Sequence, residues 1–400
     1  MATGIKDTTR AVDAAGLIRL LRARPRLLAL GEPTHGDGTL LTLRNDLFRQ
    51  LVQEEGYRTI AIESDCLRAA TVDDYVTSGT GSLDEAMERG FGHGWGAWAG
   101  NRELVSWMRE FNEGRPASDR LRFAGFDGPL EITAAESPRQ SLTLLHRYLA
   151  AHVDADLLPC TTDTLDRLIG PDDRWTEPAA MRHPERSVGR TPEARELRLL
   201  ADELKELLDE LTPHLLTAAP RAHWHRARLH ARTATGLLRY HHWMADGSPA
   251  RMTRLLGVRD RMMAGNLLAL AERGPVLVHA HNAHLQRWRS DMRTDMGPVR
   301  WWSAGALVGA RLGAEYAHVA TGLGTIRHQG VDTPPPDTLE GHLYALSEDR
   351  LLLDPPGLAA ALSDASPEPR TSPWFGYAPL DPCHLRDVDA LVFVRDVVEN

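Results

Sequence analysis

The sequence predicts an α/β fold, a mostly parallel central sheet flanked by helices and carrying a helical insertion. Two observations lead there. Short β-rich runs recur along the chain, each followed by a stretch with helical periodicity, and strand, helix, strand is the pattern of a parallel sheet. The middle of the chain, by contrast, is helical in pattern almost throughout.

The elements follow in order. Strands are predicted near 27–31, 58–63 ("RTIAIE"), 121–126 ("LRFAGF"), 275–280 ("PVLVHA"), 303–308 ("SAGALV"), 315–320 ("EYAHVA") and 389–394 ("DALVFV"). Between the first two, Leu43, Leu47, Phe48, Leu51 and Val52 keep a helical repeat that stops before Gly56. From 137 to 273 come four amphipathic segments, among them "TPEARELRLLADELKELLDEL" and "HWHRARLHARTATGLLRYHHWM". The polar stretch from Pro171 to Pro192 between them reads as a mobile loop. Residues 1–136 and 274–400 are thus expected to form the α/β core and 137–273 the insertion. The Pro-rich segments at 334–336 and 355–382 read as long surface connections.

Composition removes several kinds of chemistry. The 400 residues are 42% hydrophobic and 25% charged, enough for a large core. No apolar run approaches the roughly 20 residues of a membrane helix, and the N-terminus lacks a leader pattern, so a cytoplasmic protein is expected. A formal charge of -9 gives no reason to expect nucleic acid or an anionic membrane as partner. Cys66, Cys160 and Cys383 are too dispersed for a CxxC site or a disulfide framework. Lys6 and Lys205 are the only lysines, and neither sits where a Schiff base would need it. No GxxxxGK[ST] or GxSxG occurs. Cys66 follows a strand but reads as a small packed residue rather than a nucleophile.

The polar groups concentrate at strand ends. The first strand leads into Glu32 and His35, the second into Glu63 and Asp65, the third into Asp127, and the fourth into "HAHNAH" with His279, His281, Asn282 and His284. In a parallel sheet these ends share one edge, where open α/β folds place their ligand crevice. A histidine beside a carboxylate is oriented and made more basic by it, and can take a proton from water. A second histidine can stabilise negative charge on a substrate oxygen. Arg44, in the helix after His35, can hold a carboxylate, polarise a carbonyl, or form an ion pair with Glu32 or Glu63. Trp95 and Trp98 suit an apolar pocket, whereas Trp107 reads as core packing with Phe111. His223, His230 and His241 share a stripe that reads as a solvated or cleft-lining helix face.

The segments "GEPTHG", "LRNDLFRQLVQEEGYRTIAIESD", "GAWAGNRELVSWMREFN", "FAGFD", "RDRMMAGN" and "HAHNAH", in that order, resemble the erythromycin esterase family. The resemblance runs from Leu28 to the closing "VDALVFVRDV" and is weakest from 150 to 245. It implies an α/β protein whose helical part covers a deep cleft, and a hydrolase that opens an ester or macrolactone with water, without a covalent intermediate and without cofactor or obligatory metal. It further implies His35 as general base, Glu32 as its orienting group, Glu63 holding the water or a histidine, Arg44 as the arginine of the first helix, and His281 as electrophile or proton donor. His284, Trp95, Trp98 and Asp127 are the expected substrate contacts, and Asp260 and Asn266 are expected to be structural. The implied partner is a small molecule, a macrolide, lactone or polyketide-like ester. One departure is Thr39, where many members carry an acid; Asp37 is offset by two positions.

Three rival readings stand beside this one. His279, His281 and His284 with Glu32, Glu63 and His35 fit a zinc or manganese hydrolase. The same acid and base would also serve a natural-product tailoring enzyme that removes a proton and expels water or closes a ring. A binding protein that has lost catalysis is the third.

Overall fold

In the computed structural model, which describes residues 2–131, 134–294, 297–371 and 376–398, one sheet organises the rest of the chain. Its strands are β1 (Thr9–Arg10), β2 (Leu27–Glu32), β3 (Thr59–Asp65), β4 (Arg122–Asp127), β5 (Val276–His281), β6 (Tyr316–Thr325), β7 (Arg350–Leu353) and β8 (Ala390–Asp396). They lie in the order β1-β7-β8-β6-β2-β5-β3-β4. The strands from β8 through β4 pair in parallel. Strand β7 joins β8 antiparallel, and β1 joins β7 in the same way.

The apolar side chains sort by the two-residue alternation of a strand. Leu28, Leu30, Ile60, Ile62 and Leu277 enter one core with Leu43, Leu47, Phe48 and Leu51 of helix α1 (Gly38–Glu54). Leu27, Ala29, Ala61, Val276 and Val278 enter another on the opposite face. A sheet covered on both faces explains why its strands read as nearly continuous apolar runs. Asp37 starts α1 by accepting from the amides of Thr39 (2.8 Å) and Leu40 (3.3 Å).

Helices α2 (Arg139–Ala150), α3 (Pro192–Glu210), α4 (Arg221–Met244) and α5 (Arg251–Ala271) fill the middle of the chain. Leu142, Leu145, Leu197, Leu204 and Leu238 give α2, α3 and α4 a buried core of their own. A smaller cluster of Leu130, Met181, Tyr240, Val258 and Met262 joins them to the sheet side. Met263 and Leu267 of α5 pack directly on the sheet.

Several expectations need correction. The run 303–308 is not a strand but opens the helix Ala304–Leu312, because Ser303 Oγ caps it by accepting from the Ala306 amide at 3.0 Å. The stretch from Pro171 to Pro192 is a succession of 3-10 turns rather than a mobile loop. Arg251 pins it by donating to the carbonyls of Ala180 (2.8 Å) and Met181 (2.6 Å). The segment 355–382 begins as the helix Pro355–Ala361. The short strands β1 and β7 and the hairpin of 289–294 with 297–302 had no clear signal in the sequence.

Candidate active site

Chain order takes β2 through α1 to β3, yet β5 lies between those two strands. Their carboxyl ends therefore surround the place where the strand order reverses, the position at which open α/β sheets bind ligands. Glu32 is in register with His281, and Ile62 with His279. Alternation sends Glu32 to the α1 side of the sheet and Glu63 to the α5 side. His35, in the turn after β2, lies over the edge between them.

Glu32 is buried and divides its oxygens between two imidazoles. Oε1 accepts from His35 Nδ1 at 2.7 Å, and Oε2 is 3.1 Å from His279 Nε2. His279 Nδ1 donates to the Leu30 carbonyl at 3.2 Å. Burial alone would raise the Glu32 pKa, but His279 and His35 outweigh it and hold the carboxyl well below the usual range.

Glu63 is the second hub. Oε2 accepts from the His281 amide at 2.9 Å, and Oε1 lies 3.0 Å from Arg259 Nη2, 3.3 Å from His284 Nε2 and 3.8 Å from His35 Nε2. Burial again opposes ionisation, but His284, His35 and Arg259 lower the pKa to about 2. His35 experiences the reverse balance: burial disfavours its charge, while Glu63 and the Glu32 hydrogen bond raise its pKa above the ordinary histidine value. The His35 side chain is 33% exposed, and His281 is also only partly buried.

His281 behaves differently from its neighbour. The rings are 5.2 Å apart, and burial, then the positive His35, push the His281 pKa down to about 4. It is neutral at pH 7. Its Nδ1 accepts from the Ala283 amide at 3.3 Å, so the proton of the neutral ring sits on Nε2, which is screened from solvent and has no hydrogen-bond partner. His284 is locked in place, with Nδ1 3.0 Å from Asp260 and Nε2 facing Glu63. Burial lowers its pKa less than Asp260 and Glu63 raise it.

The structure therefore gathers His35, Glu32, Glu63, His281 and His284 in one cluster. The other expected residues lie around it. Arg44 is buried and makes no ion pair with Glu32 or Glu63; its guanidinium donates to Asn45 Oδ1 and to Asn101 Oδ1 (2.9 Å). Asn101 in turn donates to the Trp95 carbonyl at 3.0 Å. Arg44 is thus linked through Asn101 to the Trp95 backbone. Trp95 is buried against His35 at 4.9 Å and against Trp98 at 4.8 Å, so it is a wall behind the imidazole, whereas Trp98 is half exposed. Asp127 is fully buried and held by Arg259 and His93. Likewise His284 braces Glu63 instead of facing the opening.

Arg259 and His93 were not expected from the sequence. Arg259 bridges Asp127 (2.8 Å) and Glu63, and those two anions more than restore the charge that burial disfavours. His93 spans Asp127 (3.2 Å) and Glu131 (2.7 Å) from a left-handed backbone conformation with φ of 56°. Arg259 had one usable signal, its place beside Asp260 in the helix that runs into "HAHNAH". Asp260 is structural as expected: it accepts from Trp301 Nε1 at 2.9 Å and the Ala304 amide at 2.7 Å besides holding His284. The stripe of His230 and His241 is buried, with His241 bonded to the Glu136 carbonyl, and only His223 is exposed. Trp107 packs on Phe48 and Phe111. Cys66 is buried beside Thr233, and burial pushes its thiol up to about 12, as for a packed residue rather than a nucleophile.

Residues 52–397 match the sequence profile of the erythromycin esterase family. The chain belongs to the erythromycin esterase family. The matched span begins downstream of Glu32 and His35. Solved structures share the fold of this family member. A Bacillus cereus protein aligns with a TM-score of 0.74 at 18% identity, over 99% of this chain and 97% of the other. A succinoglycan biosynthesis protein aligns at 0.71 and 16% identity, over 99% and 96%. A mutant of the erythromycin esterase EreC in its open conformation aligns at 0.67 and 19% identity, over 96% and 93%. Among the described residues of this erythromycin esterase family chain, no three His, Cys, Asp or Glu side chains converge as metal ligands. His279 is paired with Glu32 at 3.1 Å and His284 with Glu63 at 3.3 Å. Also among these residues, no helix is long and apolar enough to cross a membrane.

Proposed function

We propose that this erythromycin esterase family member cleaves an ester or macrolactone by water that His35 activates, without a covalent enzyme intermediate. The observation that carries this reading is the pairing of two unlike histidines: a partly exposed His35 whose pKa is raised and which is anchored through Nδ1 to Glu32, and a neutral His281 whose Nε2–H is unpartnered. Glu32 fixes the tautomer in which His35 Nε2 carries the free lone pair. That nitrogen takes a proton from water as the water oxygen bonds to the substrate carbonyl carbon. Glu63 Oε1, 3.8 Å from the same nitrogen, accepts the other water proton as a hydrogen bond.

Negative charge then develops on the carbonyl oxygen, and His281 Nε2–H donates to it; a neutral imidazole gives this bond without losing its proton. When the C–O bond to the leaving group breaks, the His35 imidazolium returns its proton to the departing alkoxide. Protons and electrons balance within one water and one ester. Trp98 supplies an apolar edge for a bulky acyl or sugar-bearing substrate.

The test is turnover of macrolides and simple lactones in oxygen-18 water, read by mass spectrometry. Expected is one heavy oxygen in the carboxylate product, and a His35→Ala rate lower by on the order of a hundredfold or more. Unlabelled product that has lost water would replace hydrolysis with elimination or ring closure. A near-normal rate in folded His35→Ala would remove His35 as base.

A further inference from the structure

A second site is built on the helices that lie away from the catalytic cluster. Arg195, Arg198, Leu199 and Asp202 fall three or four residues apart on α3, and Thr235, Leu238 and Arg239 do the same on α4. These two stripes face each other across a cavity of about 380 Å³ lined by all seven residues. Three guanidinium groups thus converge on one groove. Some other arginines on these helices and beside them are paired, Arg190 with Asp246 at 2.6 Å, Arg226 with Asp74 at 3.4 Å and Arg228 with Glu272 at 2.6 Å, and Arg232 donates to Asn266 Oδ1 at 3.1 Å. Among the described residues, no carboxylate lies within ion-pair reach of Arg195, Arg198 or Arg239, although Asp202 shares the groove.

We propose that this groove between α3 and α4 binds a small organic phosphate, at a site separate from ester cleavage. Like charges held together without counterions, in a chain of net charge -9, destabilise the fold unless an anion joins them. The neighbouring groups respond to the same positive charge. Burial and then Arg239 lower the pKa of both Arg198 and Arg261, and burial, Arg198 and Arg190 lower that of His242. Guanidinium forks match the oxygens of a phosphate two at a time, which a single carboxylate cannot satisfy three times over. Besides Asp202 and Thr235, the groove has two apolar walls. Leu199 is 67% exposed, one of few large hydrophobics so open, and Leu238 forms the opposite wall. A phosphate carrying an apolar body fills both halves, whereas inorganic phosphate fills one. The proposal is independent of the esterase reading, because none of its residues touches His35 or its partners.

Calorimetric titration of the full chain with phenyl phosphate, inorganic phosphate and an acidic peptide tests this. Expected is saturable binding of phenyl phosphate, tighter than inorganic phosphate, and falling with added salt. Arg198→Gln and Arg239→Gln should each weaken it about tenfold or more, the loss of a charge-assisted bidentate contact. Asp202→Asn should tighten it severalfold by removing the one negative charge in the groove, and this gain is not open to an explanation by misfolding. His35→Ala should bind as wild type does. No saturable binding, equal affinity for the two phosphates, unchanged affinity in both arginine variants, binding of the acidic peptide alone, or loss in His35→Ala would each overturn the proposal.

Discussion

His35 is drawn toward its charged state by the same carboxylates that make it basic, so its proposed role as general base depends on pH. Its pKa lies above the ordinary 6.5, with Glu63 the largest charge raising it. Water activation needs the neutral ring, so kcat/KM should climb with pH through a limb placed above the usual histidine range. Glu63→Gln removes that charge and should move the limb to lower pH while depressing the maximal rate roughly tenfold to a hundredfold, since in the proposed reaction Glu63 also orients the water. A pH-rate profile of the two enzymes checks both effects, and an unmoved limb would detach Glu63 from His35. At this scale the sequence was informative where acids and histidines follow strand ends: Glu32, His35, Glu63, His281 and His284 all converge. It was silent on how they divide the work. Arg44 and Asp127 have the chemistry of substrate contacts, but burial and the partners Asn101, Arg259 and His93 come from distant parts of the chain. Residue type alone does not carry that information.

Elements set the distances that make these pairings possible. The turn after β2 must bring His35 back over Glu32, and Gly36 permits it with φ of +80°. A methyl group there would stand 2.8 Å from the Trp98 ring. Gly36→Ala should therefore cost about 1–3 kcal/mol from backbone strain and push Trp98 and Trp95 off His35, lowering kcat more than it raises KM; urea unfolding with steady-state kinetics measures the two parts. Helix α5 contributes through Arg259, whose charge ties β3 to β4 by way of Glu63 and Asp127. Arg259→Met leaves two carboxylates buried without their cation, and should destabilise the fold by about 3–5 kcal/mol, seen as a lower urea midpoint. Most strands were legible as apolar runs bounded by turns. The helix at Ala304–Leu312 was not, because five small or branched residues after a serine fit a strand and a capped helix equally well. The Ser303 cap and the close approach of Gly305 to the Leu285 backbone, with an added methyl group 1.9 Å from that carbonyl oxygen, decided it.

Across the whole molecule, two populations of histidine oppose each other in their dependence on pH. His230 and His241 are driven down to about 4 by burial, and His318 to about 3, so the native state keeps them neutral where the unfolded chain protonates them. Groups of this kind stabilise the fold fully above about pH 6.5, and their contribution is lost as pH falls toward 4. His35, His284 and His93 have raised values; their stabilisation is complete below about 6.5 and is lost as pH rises through the folded-state values. The depressed carboxylates Glu32, Glu63 and Asp127 add stability above their unfolded values near 4, and lose it only as pH falls toward 2 and lower. Stability should therefore peak near pH 6.5 and fall on both sides, by up to about 1.4 kcal/mol per pH unit for each group titrating. Activity, which in the proposed reaction needs His35 neutral, should peak at a more alkaline pH than stability does. Melting temperature and kcat/KM recorded from pH 4 to 9 in one buffer series would show the two maxima apart, with activity still rising where the melting temperature has begun to drop. Coincident maxima would mean that His35 is already neutral in the resting enzyme, and the carboxylates around it would then be serving geometry rather than basicity.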